Sequence, residues 1–262
     1  MIPISVFIIT KNEADRIQKV IDSAKKFADE IIVVDSFSID NTVDIAKKLG
    51  AKVEQKKFEG YGQQKIFAEN LCKNLWILNI DADEEISYEL ANEINEVFSK
   101  EIDQNIAGFK IKIVNKFRFE NKPKKLAYFY NQFRLYRKDI AGFKNSSVHD
   151  SVELKTNKDF QIKQFKNIIF HQSFRSYWHW LDKVNSYSTM QAIDSFNKQK
   201  NPSWLKVFSS PILAFFKAYF IRRYWIYGLN GIVYSLIFAF SRFAKAIKTK
   251  ELFTASIIEK NE

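Results

Sequence analysis

The stretch that decides the fold is "WILNIDADEEIS", residues 76–87, in which a short apolar run ends in Asp81 and Asp83. Apolar runs of this length, bounded by polar residues, are typical of a strand buried inside a sheet. Carboxylates at the end of a buried strand cost free energy unless a positive group lies beside them. The stretch therefore predicts a buried strand with a cationic partner at its carboxyl end.

The first hundred residues alternate between apolar strands and amphipathic helices. Strands are predicted at 4–10, 30–35, 51–55 and 75–81, and helices at 13–27, 41–50 and 62–74. This order and spacing predict an α/β fold with a mostly parallel sheet flanked by helices, which binds ligands beyond the carboxyl ends of its strands. After residue 105, three alternating segments predict further strands, and a helix is predicted from about Tyr177.

Length and composition predict a folded protein with a sizeable core. The chain has 262 residues, of which 46% are hydrophobic, so it suits one large domain or one domain with an appendage and is not a disordered chain. The single cysteine, Cys72, excludes an internal disulfide and fits a reducing compartment. The apolar N-terminus has no basic region and no small-residue cleavage site, so we do not predict a signal peptide.

The net charge of +11 is concentrated near the C-terminus, because residues 195–250 contain ten basic and no acidic side chains. Residues 204–243 also hold thirteen aromatic side chains, and residues 224–241 carry no charge. We expect amphipathic helices that lie on a membrane surface. A membrane-spanning helix, interrupted by Gly228 and Gly231, and a plain packing helix are the alternatives. The hydrophobicity is too continuous to favour nucleic-acid binding.

Acidic residues at the strand ends suggest a nucleotide site. The first strand is followed by "TKNEA", residues 10–14, which has no glycine-rich loop and so argues against a dinucleotide cradle and a P-loop. Asp81 and Asp83, one residue apart, could hold Mg²⁺ or Mn²⁺, which would then hold a diphosphate. The alternative is a solvated loop whose acids favour the dipole of a following helix.

Three motifs together resemble glycosyltransferase family 2, the inverting nucleotide-sugar enzymes with a GT-A fold. They are "FIITKNEADRI" (7–17), "IIVVDSFSIDNTVDIA" (31–46) and "LNIDADEEI" (78–86). Within that family, "FEGYGQQKIFA" (58–68) and "SSVHDSVEL" (146–154) look most like the lipopolysaccharide-core glucosyltransferase group. The resemblance covers roughly residues 4–245.

The resemblance implies a role for each residue that matches a family motif. Thr10, Asn12 and Glu13 match the segment that grips the base and ribose, and Asp35 matches the acid that contacts the uracil edge. Asp81 would lie near the ribose and the metal, with Asp83 as the direct metal ligand. The implied donor is a UDP-sugar and the implied cofactor is Mg²⁺ or Mn²⁺.

Further residues are candidates for the reaction itself. Lys65 could reach the diphosphate as a point charge, or be a solvated helix lysine. Direct displacement needs one general base, and the resemblance points to Asp150, with His149 beside it, although the group usually has His-Glu there. The accessory candidates are Arg134, Arg137 and His171.

These observations predict three regions: a nucleotide-binding half (1–100) and an acceptor half (101–195) of one catalytic domain, and a helical, membrane-associating tail (196–262). The predicted activity is metal-dependent transfer of a hexose, glucose foremost, from a UDP-sugar to a lipopolysaccharide core or other glycolipid. The enzyme would be cytoplasmic and peripheral on the inner face of the membrane. Alternatives are transfer to a polyprenyl phosphate, which needs no base, and a non-catalytic nucleotide-sugar-binding protein.

Overall fold

A computed structural model describes residues 2–117, 120–144 and 151–258 of the chain. The described chain divides into two compact units. The first unit contains residues 1–115 and 129–172, and the second contains residues 116–128 and 173–262. The two units are taken in turn below.

The first unit begins with alternating strands and helices. In chain order these are β1 (Ile4–Thr10), α1 (Ile17–Ala24), β2 (Glu30–Asp35), α2 (Thr42–Lys48), β3 (Lys52–Gln55), α3 (Tyr61–Leu71) and β4 (Trp76–Asp81). The four strands are parallel neighbours in the order β3-β2-β1-β4. Strands β1 and β2 are rich in isoleucine and valine, whose branched side chains favour extended backbone and fill both faces of a covered sheet.

The second half of the first unit extends the sheet. Its elements are β5 (Glu84–Ile86), α4 (Tyr88–Phe98), β6 (Ile106–Asn115), β7 (Phe129–Arg137), β8 (Ala141–Phe143), β9 (Val152–Leu154) and β10 (Gln161–His171). Strands β8 and β9 form a separate antiparallel pair, and the large sheet has the order β3-β2-β1-β4-β7-β6-β10-β5. Strand β7 runs antiparallel to β4 and β6, whereas β10 runs parallel to β6. The predicted α/β fold, with a mostly parallel sheet flanked by helices, is confirmed.

The core of the first unit lies on both faces of this sheet. Along β1, Val6 and Ile8 point into one buried cluster and Phe7 into another, as the two-residue period of a strand requires. Helix α1 adds Ile17 and Ile21 to the first cluster. Burying each aliphatic side chain of this size stabilises the fold by roughly 1.5–3 kcal/mol.

The second unit is helical. It contains α5 (Tyr177–Asn197), α6 (Trp204–Phe216), a π-helical turn (Lys217–Ile221), a 3₁₀ turn (Tyr224–Tyr227) and α7 (Leu229–Ile258). Ser176 and Ser203 cap α5 and α6 by accepting hydrogen bonds from backbone N–H groups in the first turn, which explains where these helices begin. The predicted boundary after residue 195 falls inside α5, which packs against α7 in this unit.

The uncharged stretch 224–241 is not one helix, in contrast to the span considered from the sequence. Gly228 separates the 3₁₀ turn from α7 with φ 59° and ψ −134°, a conformation open to glycine alone among common residues. In the part of the chain that the structure describes, one helix is long and apolar enough to cross a membrane, and it is Trp204–Ile221. Only 17% of that segment is buried.

Candidate active site

The carboxyl ends of β1, β2 and β4 bring three predicted site residues to one edge of the sheet. In the parallel register Thr10 pairs with Asp35, and Ile9 pairs with Asp81. Asp83 directly follows β4, in the turn that leads into β5. The edge at which parallel sheets bind ligands therefore carries three carboxylates.

Two protein cations neutralise Asp81. The Lys65 ammonium lies 2.9 Å from Oδ1 of Asp81, and Nη2 of Arg134 lies 3.2 Å from Oδ2. Burial acts to raise the pKa of Asp81, but the charges of Lys65 and Arg134 outweigh it and hold that pKa well below its usual range. The positive partner predicted at the end of β4 thus includes a lysine from α3 and an arginine from β7.

The structure contradicts one of the two sequence interpretations of Lys65. Its side chain is only 1% exposed, so it is not a solvated helix lysine. Besides the contact with Asp81, its ammonium lies 5.4 Å from the centre of the Phe143 ring. The same cation therefore connects the end of β4 to the β8–β9 pair, and a role at a diphosphate stays a prediction.

Arg134 is the centre of a buried polar cluster. Its Nη2 also donates to Oε1 of Glu84 at 2.8 Å, and its Nη1 donates to Oδ1 of Asn79. Burial raises the pKa of Glu84; the charge of Arg134 opposes this effect, and the charge of Asp81 adds to it. The Glu84 carboxylate also accepts a hydrogen bond from the backbone N–H of Asp81 at 2.9 Å. Glu84 therefore links Arg134 to the turn after β4.

Asp83 lies opposite a histidine at the end of β10. Its Oδ1 lies 3.4 Å from Nε2 of His171, and Nδ1 of that ring forms a 3.2 Å hydrogen bond with the Tyr130 hydroxyl. Burial by itself lowers the pKa of His171, but the carboxylates of Asp83, Glu84 and Asp81 reverse the effect and leave the pKa above its ordinary value. Asp83 and His171, far apart in sequence, are thus brought together.

Asp83 offers the carboxylate oxygen that Mg²⁺ and Mn²⁺ prefer, and His171 could add an imidazole nitrogen, since the other nitrogen of its ring is held by a hydroxyl. Within residues 2–117, 120–144 and 151–258, no group of three or more His, Cys, Asp or Glu side chains is arranged to hold a metal. Two protein ligands leave several coordination positions, which Mg²⁺ usually fills with phosphate and water. Asp81, predicted as a second ligand, has both carboxylate oxygens in contact with protein cations.

The loop after β2 organises the other predicted nucleotide contacts. Asp35 is fully buried; its Oδ2 accepts from the Ser38 N–H at 2.9 Å, and its Oδ1 accepts from the Ser38 hydroxyl. Ser38 Oγ also accepts from the Asn12 N–H at 2.7 Å, and Asn12 Oδ1 accepts from the Ile39 N–H at 2.9 Å. Asn12 has φ 56°, a left-handed conformation that asparagine tolerates better than most residues.

Glu13 connects the loop after β1 to the strand that carries His171. Its carboxylate accepts from Nε of Arg16 at 2.7 Å, and Nη1 of Arg16 donates to the Gln172 carbonyl at 2.6 Å. The Gln172 N–H in turn donates to the Asp83 carbonyl at 2.9 Å. Arg16 therefore links Glu13 to the chain that follows His171. The sequence interpretation missed Arg16, although it lies three positions after Glu13.

The remaining predicted residues fall elsewhere. Arg137 pairs in register with Trp76 at the start of β4 and contacts Asp139, so the structure places it away from the carboxyl edge. His149 and Asp150 lie outside the described residues. The sequence interpretation assigned no role to Asn79, Glu84 and Tyr130, which contact Arg134 or His171, and of these Glu84 had a sequence signal in its position one residue after Asp83.

Comparison with known protein families shows which family this chain belongs to. The family model described as glycosyl transferase family 2 matches residues 5–153, more than half of the chain. The chain belongs to glycosyl transferase family 2. The predicted family and enzyme class are therefore confirmed, and the strand-end carboxylates belong to a glycosyltransferase.

Related glycosyltransferases cover nearly the whole chain. An uncharacterized glycosyltransferase of Rickettsia bellii is 46% identical over 254 residues, which is 95% of this chain and 86% of that protein. The lipopolysaccharide core biosynthesis glycosyltransferase LpsC of Rhizobium meliloti is 26% identical over 265 residues, covering 94% of this chain and 92% of LpsC. The similarity thus extends beyond the family domain into the C-terminal helices.

Solved structures are more distant. Residues 1–349 of S. aureus TarS match with a TM-score of 0.46 and 17% identity, over 97% of this chain and 92% of that one. A Mycobacterium tuberculosis glucosyl-3-phosphoglycerate synthase, solved with Mn²⁺ and UDP, matches with a TM-score of 0.34 and 23% identity, over 45% of this chain and 44% of that one.

Proposed function

We propose that this glycosyltransferase moves a hexose, glucose foremost, from a UDP-sugar to a lipopolysaccharide core or related glycolipid, with inversion and with Mg²⁺ or Mn²⁺. The reaction takes place at the cytoplasmic face of the membrane. The observation that carries the proposal is the carboxyl edge of the sheet, where Asp35, Asp81 and Asp83 follow neighbouring strands and Asp83 faces His171.

The proposed contacts to the UDP-sugar donor rest on the loop after β2. The Asp35, Ser38 and Asn12 network holds a buried carboxylate and several backbone groups in one arrangement. A carboxylate is acceptor-only, so it suits the imide N–H of a uracil ring. Thr10 Oγ1 is buried and has no hydrogen-bond partner among the described residues, which supports a further contact to the donor.

The diphosphate would lie by Asp83 and His171. A divalent cation held by these two side chains would neutralise the charge that develops on the leaving diphosphate. Lys65 and Arg134 already cancel the Asp81 charge, so Asp81 repels the diphosphate less than an isolated carboxylate would. Tyr130 holds the His171 ring with Nε2 turned toward Asp83.

The acceptor hydroxyl needs a general base, for which we propose Asp150. Its assignment rests on the resemblance of "VHDSV" to the corresponding family segment. Residues 144–151 join β8 to β9, and Glu69 of α3 holds the base of that pair by accepting from the Phe143 N–H at 3.2 Å. Inverting displacement needs this one base, whereas glycoside hydrolysis uses two carboxyl groups.

The proposal for the acceptor rests on LpsC, a lipopolysaccharide core enzyme that aligns with nearly the full chain.

The membrane proposal rests on α6 and the π-helical turn. One face carries exposed apolar side chains every three or four residues, namely Leu205, Phe208, Ile212, Phe216 and Phe220, and Trp204, Leu213 and Ile221 are exposed outside this stripe. Val207, Ala214 and Ala218 are buried on the opposite face. Lys206 and Lys217 supply positive charge, as on a helix lying on anionic lipid.

The first experiment measures UDP release from a panel of UDP-sugars, with Mg²⁺, Mn²⁺ or EDTA, with and without extracted membrane glycolipid. The wild type and the matched control Asp139→Asn should release UDP with one donor in a glycolipid-dependent and metal-dependent manner. Asp83→Asn and Asp150→Asn should each lose at least a hundredfold in rate.

The outcomes separate the alternatives. If Asp150→Asn stays active with a polyprenyl phosphate as acceptor, the acceptor is that carrier and not a glycolipid. Metal-dependent UDP binding with no transfer to any acceptor would indicate a non-catalytic binding protein. Full activity of Asp83→Asn in EDTA would remove the metal from the proposal.

A flotation assay tests the membrane surface. The wild type should float with vesicles containing 30% phosphatidylglycerol and less with pure phosphatidylcholine, since Lys206 and Lys217 favour anionic lipid. Leu205→Asp and Phe208→Asp should each reduce flotation severalfold. Tyr88→Asp, which alters an exposed aromatic residue of the first unit, serves as control. Equal flotation of all variants would contradict the proposed surface.

A further inference from the structure

The second unit contains a cavity of about 310 Å³, within the size range of small-molecule sites. It is formed within this unit by the segment after β6, the start of α5, the 3₁₀ turn and the start of α7. Its lining residues are Phe117, Glu120, Lys124, Phe174, Ser176, Tyr177, Tyr227, Asn230 and Tyr234. None of them belongs to the strand-end site described above.

The aromatic walls of the cavity pack against one another. Phe117 is only 2% exposed, and its ring stacks on Tyr234 with 4.0 Å between centroids. Tyr227 meets Phe117 edge-on at 4.8 Å. On another side, Phe174 stacks on Trp180 with 3.7 Å between centroids. Rings packed in this way lose little conformational freedom when a ligand arrives.

Three polar side chains at the cavity carry different hydrogen-bonding capacities. Oε2 of Glu120 accepts from the Phe117 N–H at 3.1 Å, which fixes the carboxylate in place. Asn230 Oδ1 accepts from the Tyr177 hydroxyl at 3.3 Å, while the Asn230 amide also has two N–H donors. Lys124 donates to a backbone carbonyl at 2.9 Å and lies 5.3 Å from the centre of the Tyr227 ring.

We propose that this cavity binds a pyranose ring of the acceptor glycan. A pyranose has an apolar C–H face, which suits an aromatic wall, and a rim of hydroxyl groups that both donate and accept. Glu120 accepts, Lys124 donates, and Asn230 does both, so the cavity matches that rim. The inference rests on the proposed transferase function, which it deepens by assigning where an acceptor sugar binds.

Two other ligand classes fit less well. A phosphate group would need an excess of positive charge, but Lys124 is balanced by Glu120 at this cavity. A purely apolar chain would desolvate the second carboxylate oxygen of Glu120 and the N–H groups of Asn230 without offering them a hydrogen bond, at a cost in free energy. A neutral polyhydroxylated ring satisfies the aromatic and the polar groups together.

Saturation-transfer NMR with methyl glycosides of glucose, galactose, mannose and N-acetylglucosamine tests the proposal without requiring turnover. At least one glycoside should bind the full-length protein, and excess UDP should not displace it. Glu120→Gln should weaken that binding about tenfold. Tyr177→Phe, which removes one hydroxyl at the half-exposed rim, should weaken it about threefold. Glu251→Gln, an exposed substitution on α7, is the matched control.

The enzymatic arm compares glycosyl transfer with hydrolysis of the same UDP-sugar. The ratio of transfer to hydrolysis should fall about tenfold in Glu120→Gln and should not change in Glu251→Gln. If the protein shows no transfer with any donor, the proposed function fails while the NMR result still decides the ligand class of the cavity. Absence of glycoside binding, or equal binding in wild type and Glu120→Gln, would overturn the inference.

Discussion

The ammonium group of Lys65 lies 2.9 Å from Oδ1 of Asp81, and the Lys65 side chain is only 1% exposed. Helix α3 supplies this cation to a carboxylate that follows the apolar core of β4. Because Arg134 contacts the other oxygen, Asp81 is neutralised by the protein itself. At the same strand end, Oδ1 of Asp83 lies 3.4 Å from Nε2 of His171.

Removing either member of the Lys65–Asp81 pair should destabilise the protein unequally. Asp81→Asn removes the negative charge that both the buried Lys65 ammonium and Arg134 contact, and we expect a loss of about 3 kcal/mol in the free energy of unfolding. Lys65→Met leaves a carboxylate that is 30% exposed and still paired with Arg134, so about 1–2 kcal/mol is expected. Urea denaturation of both variants measures the difference, and a larger loss for Lys65→Met would contradict this account.

Glu69 holds the β8–β9 pair against α3 and should be sensitive to truncation. Its Oε2 accepts from the Tyr136 hydroxyl at 3.1 Å and from the Phe143 N–H at 3.2 Å. Glu69→Ala leaves the buried Tyr136 hydroxyl unpaired and should cost about 3 kcal/mol, whereas Glu69→Gln keeps an acceptor and should cost about 1 kcal/mol.

Hydrogen exchange checks the local part of the Glu69 prediction. Amide protection at residues 141–143 and 152–154 should fall in Glu69→Ala more than in Glu69→Gln, since Phe143 loses its acceptor. Glu101→Gln, a substitution in an exposed loop, should leave these amides as they are. Unchanged protection in Glu69→Ala would show that the pair is held without this carboxylate.

Cys72 should make the protein less stable at alkaline pH. Burial, together with the nearby charge of Glu30, raises the pKa of the Cys72 thiol to about 12 in the folded state. The unfolded thiol ionises near pH 8.5, so the unfolded state loses its proton first and stability falls as pH rises above that value. This contribution amounts to about 2 kcal/mol at pH 10 relative to pH 7.

Urea denaturation at pH 7 and pH 10 tests the Cys72 prediction. Cys72→Ala should be less stable than wild type at pH 7, because packing is lost, but it should lose about 2 kcal/mol less than wild type between the two values. The diagnostic quantity is the change in the free energy of unfolding between pH 7 and pH 10. Parallel losses in the two proteins would mean that the thiol does not ionise on unfolding.

Glycine is required at position 231 for steric reasons. A Cβ atom there would lie 1.8 Å from the Tyr224 carbonyl oxygen, so Gly231→Ala should cost about 3 kcal/mol by forcing the 3₁₀ turn and α7 apart. Gly50, at φ 79°, has open space around it, and Gly50→Ala should cost only about 1 kcal/mol of backbone strain. Thermal unfolding of the two variants measures the contrast, and similar shifts would contradict it.

The sequence was most informative where the apolar period was strong. Strands β1 and β2 coincide with the predicted ranges 4–10 and 30–35, because uncharged segments rich in isoleucine and valine leave few alternatives. Helix α1 begins at Ile17 rather than at residue 13, because the preceding residues form the loop that contacts Asp40 and Thr42. Short elements such as β5 and β8 were not predicted, since three residues carry no recognisable period.

In the candidate site too, some features could be predicted from the sequence and others required the tertiary structure. Asp35, Asp81 and Asp83 could be found from the sequence because each follows a recognisable strand. The pairing of Asp83 with His171 could not, since it depends on β10 lying beside β5 in the sheet. Arg134 and Arg137 were equivalent candidates, and only the antiparallel register of β7 against β4 separates them.

The sequence by itself determined the family, the parallel half of the sheet and the edge at which the carboxylates lie, because these depend on local period and on motif order. The tertiary structure decided which charges meet. Lys65 became a buried partner of Asp81, and Asp83 a partner of His171, through contacts between residues 16 and 88 positions apart. Local sequence patterns do not encode contacts of that range. Such contacts follow from how helices and strands pack.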